Sequence, residues 1–562
     1  MMFGMRMGVS LLCLSIVAAL GEHAQEPKTA VSTSVNPSSV VSEARDLYRK
    51  GSFDQALARY NEILKTAPNS GEVYAGIIRC YLKQEKVREA DDALQKGLQT
   101  NPANLDLKVA EGELLFRQGE IPEASKLFDE VIATPPDPAQ PNIPLNARAY
   151  LGAARVAAAS AMYAREHIFI TRAHSLDASD PEIRKLWIQS LSTADRVHAL
   201  EEYLAQPNND DEETRRTLRE RLDLLKASQS AQGARCLPAS DVSTTKTTMV
   251  AVSMAGGTFQ GYGLALAING KTSRLLLDTG ASGILISSKL ADSAGLKRGS
   301  DIHVGGFGEK SDTLAHVAYA ESVKIGEMEF RNCPVYVVDR MPSSEDGIIG
   351  TDVFANYLIE FDFPASTVQL SKLPPRPGEA PSIAPLNVDQ EVSAPEPGTK
   401  TSSDAARSGA SSRYEDRYIA PEMHSYVQAY RLRQYLLIPT KVNENSDKLF
   451  LLETRAFDNT ITPVAAGEVT KLHRAPRVDV RGMDTGGKKV YVADSVTLDF
   501  GHLRQTVPNI PSIDLSNFSR EAGTEVSGTL GMVMLDMLTV RMDYRDALVD
   551  FRYTKKSPRV RH

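Results

Sequence analysis

Leu275-Leu276-Leu277-Asp278-Thr279-Gly280-Ala281-Ser282 is the most informative stretch of the chain. The leucines follow an alternating segment at residues 262–268 and read as an apolar strand that delivers a carboxylate, Asp278, into a tight turn. Gly280 is read as permitting a backbone geometry closed to other residues. Thr279 can hydrogen-bond across a subunit or domain interface and hold the turn rigid, and Ser282 can bond to the Asp278 carboxylate and orient it. A lone Asp-Thr-Gly is weak, because such triplets arise by chance in turns, so the surroundings decide. About 27 residues on comes Val304-Gly305-Gly306-Phe307-Gly308, a glycine-rich hairpin tip able to cover a cleft. Asp346-Gly347-Ile348-Ile349-Gly350 follows, then Asp352-Val353-Phe354 opening a short helix, with closing strands at residues 357–363 and 367–371.

In that order these elements resemble the retropepsin-like aspartyl proteases, the single-domain relatives of pepsin, over roughly residues 258–373. The resemblance implies a closed β barrel, placed here at residues 246–373. It implies Asp278 as the catalytic residue activating a water, with Thr279, Gly280 and Ser282 as turn and orienting residues. Gly305, Gly306, Phe307 and Gly308 would form the flap over a polypeptide substrate. Aspartyl proteolysis needs two carboxylates sharing one proton, because like charges at about 3 Å cannot both ionise. An acidic optimum is therefore expected. One barrel supplies one Asp, so a second barrel is required.

The chain provides a second copy at residues 425–555. Leu449-Phe450-Leu451-Leu452 stands for Arg274-Leu275-Leu276-Leu277, Val480-Arg481-Gly482-Met483 for the flap tip, and Ser527-Gly528-Thr529-Leu530-Gly531 for Asp346–Gly350. Closing strands are expected at 538–544 and 547–553. The copy departs at the turn, where Glu453-Thr454-Arg455-Ala456-Phe457 replaces Asp278-Thr279-Gly280-Ala281-Ser282. Glu453 keeps a carboxylate, Arg455 takes the glycine's place and is expected to hold Glu453 ionised, and Phe457 removes the hydroxyl. The favoured reading is a degenerate partner retained for packing. Glu453 as a weak second carboxylate is the alternative, and pairing of two chains through Asp278, a homodimer, is another catalytic arrangement. Residues 374–415 are polar and rich in Pro and Ser, and read as a disordered linker. The two barrels are expected to pack as a pseudo-dimer.

Upstream, residues 41–228 show apolar spacing of three and four, the signature of amphipathic helices. Ala56, Ala90 and Ala124 are 34 apart, as are Pro68, Pro102 and Pro136. Tyr60, Leu94 and Phe128 share a further core position, and Gly51 and Gly119 punctuate turns. This period resembles the tetratricopeptide repeat. Such arrays stack helix pairs around a continuous core and present a concave face, which would bind a protein substrate or partner. The bland alternative is a scaffold packing on its own protease-like neighbour.

At the N-terminus, Arg6 precedes a short apolar run over residues 9–20 and small residues at Ala18, Ala19 and Gly21. The pattern fits a signal peptide over 1–21, with export to the periplasm or extracellular space. No other stretch is apolar enough to span a membrane. Of the four cysteines, Cys80 reads as core, and Cys236 with Cys333 is a tempting disulfide that the sequence cannot settle. A net charge of −7 with 6% aromatics speaks against nucleic-acid partners. The ten histidines form no ligand-spaced set, and no metal or other cofactor is implied.

The sequence thus predicts a multidomain α + β protein, with a tetratricopeptide-like all-α solenoid before two retropepsin-like all-β barrels. The leading function is a secreted aspartic-type endopeptidase acting through Asp278. The alternatives are a catalytically inactive peptide-binding protein and a scaffold whose repeats are the working surface.

Overall fold

The computed structural model describes residues 37–135, 143–206, 210–230, 236–253, 259–304, 313–341, 345–378, 386–387, 416–445, 447–474 and 490–553. The expected signal peptide, the glycine tip at 305–308, Pro136 and the second tip at 480–483 lie outside them.

Helices begin at Pro37–Arg49, a few residues before the predicted boundary, and continue through Glu212–Ser230. The period-34 positions are core positions: Ala56, Ala90 and Ala124 are fully buried, and Tyr60, Leu94 and Phe128 nearly so. Small residues there let helices approach closely; the Phe128 ring lies where Cβ atoms on Gly112 and Gly152 would stand. The repeat ends are also physical. Pro68 and Pro102 precede the N-caps Ser70 and Asn104, whose side chains accept from the backbone N–H groups of Val73 and Leu107. Gly51 and Gly119 take left-handed φ values of 73° and 86°, and Glu85 takes the same turn between them at φ 59°. The middle repeat therefore keeps the turn without the glycine that advertises it.

Each barrel is built around a parallel contact that the sequence motifs encode. Lys271–Asp278 runs parallel to Gly347–Gly350, with Asp278 opposite Gly350. Asp447–Leu452 runs parallel to Gly528–Leu530 in the second copy. A Cβ on Gly350 would stand 2.4 Å from the Ala281 carbonyl, and one on Gly531 2.5 Å from the Asp458 carbonyl, so Ile348-Ile349 in the first barrel and Thr529-Leu530 in the second must each be followed by glycine.

The barrels meet in a shared antiparallel sheet. Tyr357–Asp362 of the first pairs with Leu538–Asp543 of the second, from Leu358 opposite Asp543 to Asp362 opposite Thr539. At its centre Arg541 Nε lies 2.6 Å from Glu360 Oε2. Thr367–Lys372 and Thr244–Ser253 extend the sheet on one side, Leu548–Tyr553 and Val427–Gln428 on the other. Tyr357–Asp362 is thus paired on both edges, by Thr367–Lys372 of its own barrel and by the second barrel of the same chain.

The helical array docks on the second barrel. In Tyr435–Val442, Leu436 and Ile438 point into the barrel core, while Tyr435 and Leu437 join Val109, Ile121, Phe128 and Leu145 of the helices. Strands buried on both faces carry continuous apolar runs, as this one does. Thr524 Oγ1 and Glu525 N donate to the carbonyls of Phe116 and Arg117, and Arg520 Nε lies 2.9 Å from Glu85 Oε1. The last helix reaches the first barrel: Glu220 accepts from His303 N at 3.1 Å and pairs with its ring Nδ1 at 2.6 Å. His303 lies in Arg298–Val304, the strand leading into the glycine tip.

Cys236 and Cys333 are disulfide-bonded, and Cys80 is a free, buried thiol. The predicted disordered linker needs correction where it is described. Arg376 ion-pairs with fully buried Asp546 at 2.6 Å, Leu386 is buried, and Asn387 N donates to the Val353 carbonyl. A charged residue with a buried partner and a lone leucine suffice to seat this stretch, despite a composition that argues against packing.

Candidate active site

The two turns face each other across the pseudo-two-fold. Thr279 Oγ1 donates to the Leu452 carbonyl at 2.6 Å, and Thr454 Oγ1 donates to the Leu277 carbonyl at 3.2 Å. Thr454 N donates to Thr279 Oγ1 at 3.1 Å and Thr279 N to Thr454 Oγ1 at 3.2 Å. All four bonds are buried, and the sequence-derived role of Thr279 at an interface is what the geometry gives.

This grip brings Asp278 and Glu453 together at 6% and 5% exposure. Each carboxylate accepts from the backbone two residues on: Gly280 N to Asp278 Oδ1 at 2.8 Å, Arg455 N to Glu453 Oε1 at 3.0 Å. A Cβ on Gly280 would stand 3.2 Å from Asp278 Oδ1 and 3.3 Å from Glu453 Oε2, so the two carboxylates border one small space that glycine leaves open.

Three expectations change here. Gly280 does not adopt a left-handed conformation; Gly283 does, at φ 72°. Gly280 is needed for room, and because its backbone is ordinary, Arg455 can occupy the matching place. Ser282 does not orient Asp278. Its hydroxyl donates to Asp352 Oδ2 at 2.6 Å, and Gly283 N donates to Asp352 Oδ1, so the Asp352 side chain ties the turn to the Thr351–Phe354 segment. Burial pushes the Asp352 carboxyl up to about 6. Finally, the Arg455 guanidinium does not turn back on Glu453: Nη1 reaches Asp278 Oδ2 at 3.1 Å. Glu453 is pushed up to about 7, first by burial and then by the charge of Asp278. The sequence suggested that Arg455 would keep Glu453 ionised; here its lowering effect is outweighed by burial and by Asp278.

Sequence reasoning missed the residues around the second turn. Tyr435, nearly fully buried, donates its hydroxyl to Glu521, and burial together with Glu521, Glu453 and Asp278 raises its pKa. Phe518 packs edge-on against Tyr435, and Gln434 Nε2 donates to the Gly280 carbonyl at 3.4 Å. Tyr435 opens the strand beside Glu453, and only that register brings it to the site. Gly305, Gly306, Phe307 and Gly308 lie outside the described residues. Among the described residues no cluster of metal-ligating side chains occurs, and no helix is long and apolar enough to cross a membrane.

Comparison with known proteins agrees with this architecture. Residues 264–353 match the aspartyl protease family model, and residues 47–98 and 84–143 match a tetratricopeptide repeat model. The chain thus contains an aspartyl protease domain preceded by tetratricopeptide repeats. Similar solved structures include a retropepsin-like aspartic protease from Rickettsia conorii, 21% identical over 23% of this chain and 94% of that one, TM-score 0.17. A thermophilic tetratricopeptide protein of Thermus thermophilus is 18% identical over 34% of this chain and all (100%) of its own, TM-score 0.26. The Pseudomonas aeruginosa pilF protein is 16% identical over 34% of this chain and 85% of its own, TM-score 0.25. No curated protein matches.

Proposed function

We propose that the chain is an exported aspartic-type endopeptidase in which Asp278 and Glu453 form the working carboxylate pair. The observation that carries this reading is their joint burial across the threonine grip, bordering one open space, with the Glu453 carboxyl pushed up by burial and by Asp278. A pair in that state can take a proton from water and give one to a peptide carbonyl, which is the chemistry of this class. The glycine tip at 305–308 would cover the substrate. The helical array would hold a polypeptide substrate or partner on its free face. A polar cavity of about 250 Å³ there, bordered by Arg45, Tyr48, Glu72, Arg79 and Asp106, favours a charged ligand surface. Export draws support from the Cys236–Cys333 disulfide, since such bonds persist in oxidising compartments.

The test is hydrolysis of a mixed peptide library by the wild type, Asp278→Asn and Glu453→Gln at pH 3 to 8. Activity lost in both variants, and falling in the wild type as pH rises through about 7, is the expected result. Equal inertness of all three would favour the second reading, a binding module. The ion pair that Arg455 places on Asp278 speaks for it. Activity kept in Glu453→Gln and rising with protein concentration would point to Asp278 pairing between chains. N-terminal sequencing of the secreted protein tests export, with loss of about 20 to 25 residues expected.

A further inference from the structure

The second turn carries an arginine where the first carries glycine, and the structure makes room for it. Gly261, at φ 133°, is the residue beside it: a Cβ there would stand 3.7 Å from Arg455 Cγ and 3.3 Å from the Thr454 carbonyl. The Arg455 side chain is about 31% exposed and reaches across the pseudo-two-fold to Asp278, the carboxylate of the other barrel. Its own backbone N–H is already committed to Glu453 Oε1. The cation lies within reach of both carboxylates, but its hydrogen-bonded contact is with Asp278 alone, and Gly280 offers no counterpart on the other side.

We infer that Arg455 is a positioning residue that removes the equivalence of the two carboxylates, so that Asp278 always acts as base and Glu453 always as acid. This rests on the peptidase reading above. In a symmetric pair either carboxylate can hold the shared proton. Here the guanidinium is hydrogen-bonded to Asp278, while burial and the neighbouring Asp278 push the Glu453 carboxyl up, which assigns the shared proton to Glu453. Water then gives a proton to Asp278 while its oxygen bonds to the scissile carbonyl carbon, and Glu453 passes its proton to the carbonyl oxygen. On collapse Glu453 recovers that proton, and the one on Asp278 goes to the leaving nitrogen as the C–N bond breaks. Among the described residues, other ionisable groups coupled to the pair include Tyr435, hydrogen-bonded to Glu521, and Tyr544, in the turn after Leu538–Asp543. Neither supplies a positive charge, and among the described residues Arg455 is the cation ion-paired with Asp278.

Two readouts test this. In the pH profile of kcat, Arg455→Gln should move the acidic limb upward relative to wild type, because the base loses the cation that contacts it. The alkaline limb should rise less, and Arg455→Lys should keep a profile close to wild type. Superimposable profiles for wild type and Arg455→Gln would overturn the inference. The second readout needs no activity and so separates this inference from the peptidase reading. Arg455→Gln should lower the thermal midpoint at pH 6, should do so less at pH 3, and should have little effect in an Asp278→Asn background. Equal destabilisation in both backgrounds would mean that Arg455 only packs. Should Arg455→Gln fail to fold, the same comparison with Arg455→Lys decides: a profile displaced from wild type despite the retained cation would overturn the assignment.

Discussion

The two barrels share a strand plan and differ in what fills its turns. In the first, Ser282 and Asp352 form a polar tie beneath the turn; at the matching places the second has Phe457 and Val533. Phe457 instead packs against Phe259 of the first barrel, ring centroids 5.9 Å apart. Other bonds compensate: Val533 N donates to the Phe457 carbonyl, and Gly531 N to the side-chain Oδ1 of Asn459 at 2.8 Å. The substitutions come as a set, hydroxyl and carboxylate exchanged together for two apolar groups. This is how a turn can lose its polar network without leaving a buried group unpaired. The second turn is thus satisfied without the polar tie of the first.

The largest effect that tests this contrast is at the carboxylates. Asp278→Asn should cut peptide hydrolysis by roughly 10²–10⁴-fold, the usual worth of a positioned proton acceptor. The melting transition should stay cooperative. An inactive Glu453→Gln beside an active Asp278→Asn would reverse the ranking of the barrels. Next comes the grip. Thr279→Val and Thr454→Val each leave buried backbone groups without partners and should each cost about 1–3 kcal/mol in urea unfolding. Their effects should fall short of additive, because the two hydroxyls serve one network.

Ser282→Ala should have a smaller and pH-dependent effect. The folded Asp352 carboxyl sits at about 6, above its unfolded value. Its ionisation therefore opposes folding, and stability is lost as pH rises through about 6. The Ser282 hydroxyl offsets part of that loss, so Ser282→Ala should destabilise by about 1–2 kcal/mol at pH 8 and by much less at pH 4. Activity loss parallel to Asp278→Asn would mean that Ser282 serves Asp278 after all. The smallest expected effect is in the rebuilt turn. Phe457→Ser and Val533→Asp should each destabilise, and the double variant should recover about 0.5 kcal/mol relative to their sum if the polar tie can be transplanted.

What could be read from the sequence follows from how local each signal is. The strand-turn-strand order of both barrels was legible because each element has its own apolar run and breaker, and the helical period because three positions kept phase. Thr279 was legible because it sits beside the carboxylate it supports. The partner of Ser282 was not, since it lies 70 residues away and is reached only through the parallel contact of two strands. The direction of Arg455 was missed for a related reason. A sequence places a guanidinium beside Glu453, whereas only the pseudo-two-fold places Asp278 within its reach. Glu85 hides a left-handed turn because the repeat, and not the residue, imposes it. Arg376 and Leu386 were hidden by the composition around them.

The shared sheet between the barrels has a consequence for how the site is assembled. When two identical subunits build such a site, each copy must find the other, and dilution takes the site apart. Here the halves are tethered in one chain, and Tyr357–Asp362 meets Leu538–Asp543 at an effective concentration set by the connection and not by how much protein is present. Dilution should leave the pair intact. Tethering also means that a change in one half is not forced on the other, and a single arginine can then face a single aspartate.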